Sequence, residues 1–329
     1  MSLVSSGAAG GHVVVTGAAG FIGSHLVGRL LAERRRVIGI DSFTDYYAPA
    51  QKEANLAEAL ADPGFTLLRS DLLELLEPGA GLREAFAGAA CVYHLAGQPG
   101  VRASWGSGFR TYVDDNVLAT QAVLETCAAA AVPPVVYASS SSVYGDADML
   151  PLREDAMCRP VSPYGVTKLA GEHLCGLYAK ARGLHTVALR FFTVFGPRQR
   201  PDMAFNIFMR AALEGRPIVV YGDGAQTRDF TYVDDIVTGI VAAPRAPAGS
   251  VINLGGGHRI TLLEALDTLA HVTGHELQVE RRERQSGDAR DTWADLERAH
   301  ELLGYQAGMG LEAGLAAEWD WLRRSPTLG

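Results

Sequence analysis

Of the 29 basic residues in this 329-residue chain only three are lysine: Lys52, Lys168 and Lys180. Arginine carries the rest, so the place of each lysine invites a question. Cysteine is scarce as well. Cys91, Cys127, Cys158 and Cys175 stand apart among apolar neighbours and form no CxxC pair. That excludes a disulfide framework and points to buried thiols in a reducing compartment, so a cytoplasmic location is expected. No stretch approaches the roughly 20 apolar residues of a membrane span. The N-terminal "MSLVSSGAAGG" lacks the basic start and long apolar middle of a secretory signal and reads as a frayed tail. Positive charge is in deficit. A net charge of −8 argues against a nucleic-acid or anionic-membrane surface, though an acidic protein still holds a polyanion where arginines gather. His94, His173 and His258 show no metal-ligand spacing, so they read as structural and no metal is expected.

What is present is a large apolar fraction, 48%, enough for a sizeable core in one large or two modest domains. The first half alternates β-branched runs with helical patterns. "HVVVTG", "RVIGID", "FTLLRSD", "CVYHLAG", "PVVYASS" and "HTVALRFF" read as strands. "GSHLVGRLLAERR", "GLREAFAG", "NVLATQAVLETCAAAA" and "YGVTKLAGEHLCGLYAKARG" read as helices. Such alternation implies an α/β fold, a doubly wound parallel sheet covered on both faces. After about residue 195 the regularity weakens. "IVVYGDG" and "SVINLGG" look like strands, "TLLEALDTLAHVTG" and "WADLERAHELLGY" like helices. The expected division is a dinucleotide-binding domain over 1–194, with a returning strand near 250–256, and a smaller discontinuous domain over 195–329.

"VVVTGAAGFIGSHL" places Gly17, Gly20 and Gly23 between the first strand and the first helix. The first two glycines let backbone approach a pyrophosphate, and the third lets helix and strand pack closely. Phe21 and Ile22 belong to the same turn. The second strand ends at Asp41, whose carboxylate suits ribose hydroxyls and repels a 2′-phosphate, so the expected cofactor is NAD rather than NADP. Arg34, Arg35 and Arg36 before that strand read as a solvated helix end. Asp71, with Leu72, ends the third strand beside the adenine position, and Leu95, Ala96 and Gly97 end the fourth.

"SPYGVTKLAGE" sets Tyr164 and Lys168 four apart, on one helix face, with Ser162 as N-cap and Pro163 at the first helical position. A phenol with a pKa of about 10 needs roughly 4 kcal/mol to reach neutrality. An ammonium about 4 Å away at an effective dielectric near 20 supplies about that much. Lys168 is therefore expected to help Tyr164 ionise. Before this helix, the fifth strand ends in a row of hydroxyls, Ser139 to Ser142.

Here the sequence resembles the extended short-chain dehydrogenases/reductases that modify nucleotide sugars, from about residue 11 to about residue 305. "GIDSFTDYYAPAQKEANL", "HLAGQPGVRAS", "ASSSSVYG" and "RFFTVFGPRQRPDMAF" are similar to the UDP-glucuronate 4-epimerases within that family. The resemblance implies a Rossmann-type sheet, NAD and a UDP-sugar substrate. It implies Ser140 as the catalytic partner of Tyr164 and Lys168, and pairing of the two long helices into a homodimer. Dehydrating members carry Asp-Glu where this chain has Ser141 and Ser142, and decarboxylating members carry Glu in place of Ser142. Two serines instead offer hydrogen bonds to a carboxylate without removing the C5 proton. Galactose-type epimerases have Asn where this chain has Thr193. A smaller hydroxyl there leaves room for a carboxylate, with Arg200 and Arg102 as its candidate ionic partners. By the same resemblance Val219 and Tyr221 flank uracil, Arg228 meets the diphosphate, and Asp288 accepts from the uridine ribose. Relatives often carry Arg in place of Gln285, where this chain has Arg284 beside it. The implied activity is interconversion of UDP-glucuronate and UDP-galacturonate through a 4-keto sugar. A 4-epimerase of neutral UDP-sugars, a decarboxylase and a non-catalytic NAD sensor are the alternatives.

Overall fold

The computed structural model describes residues 11–76, 81–130, 134–146, 149–283, 287 and 289–325. The apolar runs become a seven-stranded sheet. In chain order its strands are Val13–Thr16, Val37–Asp41, Phe65–Arg69, Cys91–His94, Val135–Ser140, Thr186–Phe191 and Ser250–Leu254. Across the sheet they lie seventh, sixth, fifth, fourth, first, second, third. Every pairing is parallel. The order reverses between the first and fourth strands, so the connections after them leave in opposite directions and open a crevice at the carboxyl edge.

Alternation along each strand loads both faces. Val13 and Val15 join Leu26, Leu56 and Ile236, carried by the helices Phe21–Ala32, Pro49–Leu60 and Val233–Ala242. Val14 joins Phe86, Leu124 and Cys175 of the helices Leu82–Phe86, Ala119–Ala129 and Pro163–Arg182. Strands covered on both sides have no polar face, which is why they read as unbroken apolar runs.

Several elements depart from the sequence expectation. "NVLATQAVLETCAAAA" enters its helix through a wide turn, Asp114–Leu118, before Ala119–Ala129. The helix Pro49–Leu60 lies inside a stretch with no strong apolar period. Of "WADLERAHELLGY" only Glu297–Leu303 is helical; Trp293 to Asp295 run beside Leu152, which exchanges backbone hydrogen bonds with both. The last helix, Leu311–Arg324, was not anticipated. The chain rejoins the sheet at Ser250–Leu254, and before that Val233–Ala242 already packs on Phe21–Ala32.

Among the described residues three short ladders form beyond the sheet. Val194–Phe195 runs parallel to Thr231–Tyr232, Thr227–Asp229 antiparallel to Arg259–Thr261, and Ile218–Tyr221 parallel to Val279–Arg282. Among the described residues no helix is long and apolar enough to cross a membrane. Cys91, Cys127 and Cys175 are buried free thiols, and Cys158 is half-buried.

Candidate active site

The glycine turn is built for close approach. Gly17 has φ +69°, and a Cβ there would lie 2.8 Å from the Ala96 nitrogen. A Cβ on Gly23 would come within 2.0 Å of the Gly17 carbonyl oxygen, so only glycine lets the helix seat on the turn. Gly20 caps that helix without a side chain, leaving the amides of the first turn unshielded. Gly17, Gly20, Phe21, Ile22 and Gly23 border one cleft. Asp41, Asp71, Leu72, Leu95, Ala96 and Gly97 border the same cleft.

Asp41 is nearly buried and is aimed by backbone. Its Oδ2 accepts from the Ala19 amide at 3.0 Å and its Oδ1 from the Phe43 amide at 2.8 Å. Each oxygen keeps a lone pair for a ligand. Asp71 Oδ1 accepts from the Leu73 amide at 2.8 Å, which turns the chain after the third strand. A cradle that any Cβ would fill, followed by a carboxylate at the second strand end, fits NAD.

The reaction end is assembled by one helix pressed on one strand. Ser162 caps the helix by accepting from the Gly165 amide at 3.1 Å. A Cβ on Gly165 would sit 2.5 Å from the Ser142 carbonyl oxygen, so this glycine lets the Tyr164 turn close on the serine row. The four serines then divide their work. Ser139 is buried and donates to the Glu172 carboxylate, which also takes the fork of Arg190 at 2.8 and 2.9 Å. Ser140 accepts from the Ser142 amide at 3.1 Å and donates to the Ser142 hydroxyl at 3.1 Å. Ser141 and Ser142 lie in a short turn, Ser141–Val143.

Burial raises the pKa of Tyr164, while a hydrogen bond with Ser140 and the charge of Arg200 pull it back down. The sequence reading gave that electrostatic task to Lys168. In the structure Lys168, one helical turn deeper, donates from Nζ to the Ala138 carbonyl at 3.0 Å. Burial pushes its ammonium down to about 8. Tyr164, Lys168, Ser139 and Arg200 all border the glycine-turn cleft. His94 is structural, as expected. Its ring nitrogens lie 2.8 Å from the Thr16 hydroxyl and 3.0 Å from the Thr120 hydroxyl, and burial pushes it down to about 3, so it is neutral.

The remaining expected residues separate into two groups. Arg200 reaches the cleft wall beside Tyr164, but its Nε and Nη2 already meet Asp202 at 2.9 and 3.1 Å. Thr193 lies half-buried just past the sixth strand, its carbonyl accepting from the Thr231 amide at 2.9 Å. Arg102 does not join them. Its guanidinium stacks over the Tyr221 ring at 4.6 Å, because the turn Arg102–Ser104 follows the fourth strand toward the outer ladder. Val219 and Tyr221 are two apart on one strand and half-buried on one face. Arg228 Nη1 donates to the carbonyls of Thr227 and Arg290 at 2.8 and 2.9 Å. Asp288, Arg284 and Gln285 lie outside the described residues.

Sequence reasoning missed other groups. Thr44, Tyr46, Tyr47 and Lys52 border the cleft from the segment after Asp41. They lie inside one of the quoted signature stretches, but nothing in their spacing assigned them a place. Asn116 ties the fourth-strand loop to the Tyr164 helix: its Oδ1 accepts from the Gln98 amide at 2.7 Å and its Nδ2 donates to Thr167 at 3.0 Å. Asp115, from the wide turn, also borders the cleft, and burial beside Asp71 and Asp114 pushes its carboxyl up to about 6.

One cleft thus offers a dinucleotide seat at one end and a phenol with a serine partner at the other, the organisation of the extended short-chain dehydrogenases/reductases. Within that class the chain belongs to the NAD dependent epimerase/dehydratase family, whose model matches residues 13–255. It is 41% identical over 313 residues to the "uncharacterized UDP-glucose epimerase YtcB" of Bacillus subtilis (strain 168), covering 94% of this chain and 97% of that one. It is 35% identical over 319 residues to the UDP-glucuronate 4-epimerase of Thermodesulfobacterium geofontis (strain OPF15), covering 96% and 97%. The crystal structure of UDP-glucuronic acid 4-epimerase from Bacillus cereus in complex with UDP-glucuronic acid and NAD superposes with a TM-score of 0.91. That match is at 41% identity over 95% of this chain and 99% of that one.

Proposed function

We propose that this protein interconverts UDP-glucuronate and UDP-galacturonate at C4, with NAD as its resident cofactor. The observation that carries the reading is Arg200 in the cleft wall beside Tyr164, with serines rather than acids at 141 and 142. Relatives named for UDP-glucuronate 4-epimerisation support it.

In this reading Tyr164 takes the proton from the C4 hydroxyl, and Ser140 orients that hydroxyl and shares the proton. Bound NAD supplies the acceptor and later the donor of the C4 hydride. Lys168 adds positive charge at the cofactor end of the helix. Gly17 to Gly23 seat the pyrophosphate, and Asp41 meets the ribose. The 4-keto sugar turns over before the hydride returns to its other face. That intermediate is a β-keto acid, so Ser141, Ser142, Thr193 and Arg200 must hold the carboxylate where loss of CO2 is disfavoured. Val219, Tyr221 and Arg228, with Arg102 stacked on Tyr221, form the nucleotide side.

We read residues 1–194 with 233–254 as the cofactor unit and the rest as the sugar unit. We also read a homodimer through the helices Ala119–Ala129 and Pro163–Arg182, where Leu118 of the preceding turn, Val166 and Leu177 are exposed.

A second reading, a 4-epimerase of neutral UDP-sugars, draws on the name of the B. subtilis relative. Incubation with UDP-glucuronate and, separately, UDP-glucose, followed by chromatography of the products, tests the two. The main reading expects UDP-galacturonate from the acid at a rate at least tenfold above any galactose formation. A reversed ratio favours the second reading, and a pentose product from the acid sinks the first.

A further inference from the structure

Among the described residues Arg200 is the arginine that borders the cofactor cleft beside Tyr164. A guanidinium offers a carboxylate two good edges, and the Nε/Nη2 edge gives parallel hydrogen bonds. Here that edge is occupied by the chain's own carboxylate. Asp202 Oδ1 accepts from Nε at 2.9 Å and Asp202 Oδ2 from Nη2 at 3.1 Å. The arrangement is locked from the opposite side of the cleft. Tyr46, on the loop after Asp41, donates to Asp202 Oδ2 at 3.0 Å. Gln51 adds a second tie across the same gap, donating to the Gln199 carbonyl at 3.4 Å.

The backbone at both sides of this junction is unusual. Phe43 and Arg198 have φ of +53° and +65°, a region that non-glycine residues enter only when their surroundings impose it. Phe43 is held there by Asp41 Oδ1, which accepts from its amide. The surroundings therefore fix both loops so that Tyr46, Asp202 and Arg200 meet.

We propose that Asp202 is a built-in competitor for Arg200 that limits how tightly an acidic sugar is held, with Tyr46 as the residue that keeps it in place. This rests on the reading of the cleft as an acid-sugar site. The physical demand comes from the reaction itself. A 4-epimerase must hold its sugar for hydride removal, release it to turn, and hold it again in the opposite sense. A carboxylate bound bidentately to an uncompensated arginine would resist turning. Extra grip on the ground state deepens binding and slows the step that follows. With Asp202 already on the Nε/Nη2 edge, the substrate carboxylate meets a partly neutralised cation and competes for donors rather than capturing them. Asp202 and Tyr46 are on this view positioning residues, acting through Arg200.

The test is Asp202→Asn, which keeps the shape and removes the charge. Calorimetric titration in a Tyr164→Phe background measures binding without turnover. We expect UDP-glucuronate to bind about tenfold tighter than in the Tyr164→Phe parent, with UDP-glucose binding unchanged within twofold. In the otherwise intact enzyme, kcat and KM for UDP-glucuronate should fall together. Tyr46→Phe should move the acid-to-neutral affinity ratio in the same direction by two- to threefold, and Asp202→Glu should restore the parent ratio. An unchanged or lower ratio in Asp202→Asn overturns the proposal, as does equal tightening toward both sugars. If the Tyr164→Phe parent binds neither UDP-sugar, the underlying acid-sugar reading fails instead.

Discussion

Lys168 Nζ has one hydrogen bond, to the Ala138 carbonyl, and is almost wholly enclosed. Its pKa falls from 10.5 to about 8, so the native state holds this proton less firmly than the unfolded chain. The sign follows from linkage. Below pH 8 the ammonium is charged in both states and its burial cost is present in full. Between about pH 8 and 10.5 the native state sheds the proton first, and the cost is relieved. Lys168→Met should therefore stabilise the cofactor-free protein near pH 7, by up to about 3 kcal/mol at 1.36 kcal/mol per pKa unit. The gain should shrink toward pH 10.5, and turnover should be lost. Thermal melts across that range check it; a lysine that proves stabilising at pH 7 would contradict it. Tyr164→Phe belongs at the same scale. General-base removal should cost about 10² to 10⁴ in kcat, while UDP-sugar affinity by calorimetry stays within a few-fold. The Tyr164–Lys168 spacing and the serine row were legible in the sequence because helix and strand periods are local. The charge on Tyr164 was not, since Arg200 reaches it from another loop, 36 positions along the chain and across the cleft.

At the level of elements, the helix Phe21–Ala32 contains an internal control. A Cβ on Gly23 would meet the Gly17 carbonyl oxygen at 2.0 Å, whereas one on Gly28 meets nothing within 4 Å. Gly23→Ala should push the helix off the turn, lower stability by about 1–3 kcal/mol and abolish retention of NAD through purification. Gly28→Ala should raise stability by about 0.5–1 kcal/mol and leave bound NAD unchanged. Melting temperature and the nucleotide released on denaturation read both; equal behaviour of the two variants would show that the turn is not packed as described. The strands were readable because burial on both faces makes each a continuous apolar run. Pro49–Leu60 was harder, with a buried face of Gln51, Lys52, Asn55, Leu56 and Ala59, mostly polar, that breaks the hydrophobic period. Those polar groups are satisfied inside the fold: Lys52 donates to Thr44 and Asn55 to the Ala19 carbonyl. Their partners are loops that no period announces.

For the molecule as a whole, Leu118, in the turn before Ala119–Ala129, is 45% exposed and Leu177 58%, and Val166 lies on the same helix as Tyr164. Light scattering at micromolar concentration should give twice the 35.0 kDa chain mass. Leu118→Arg combined with Leu177→Arg should shift it toward one chain; a parent already monomeric would remove the dimer from the account. The same scale marks the limit of what the sequence disclosed. Tyr46 and Asp202 are 156 residues apart and hydrogen-bonded, and neither carries a local pattern that foretells the other. The central claim, hydride removal and return at C4 of an acidic UDP-sugar within one cleft, is tested most directly by isotope. UDP-glucuronate carrying deuterium at C4 is incubated with the enzyme, and the product is examined by NMR and mass spectrometry. The account predicts UDP-galacturonate with the deuterium retained at C4 and no pentose. Deuterium lost to solvent, or UDP-galacturonate formed unchanged in rate by Tyr164→Phe, would contradict it.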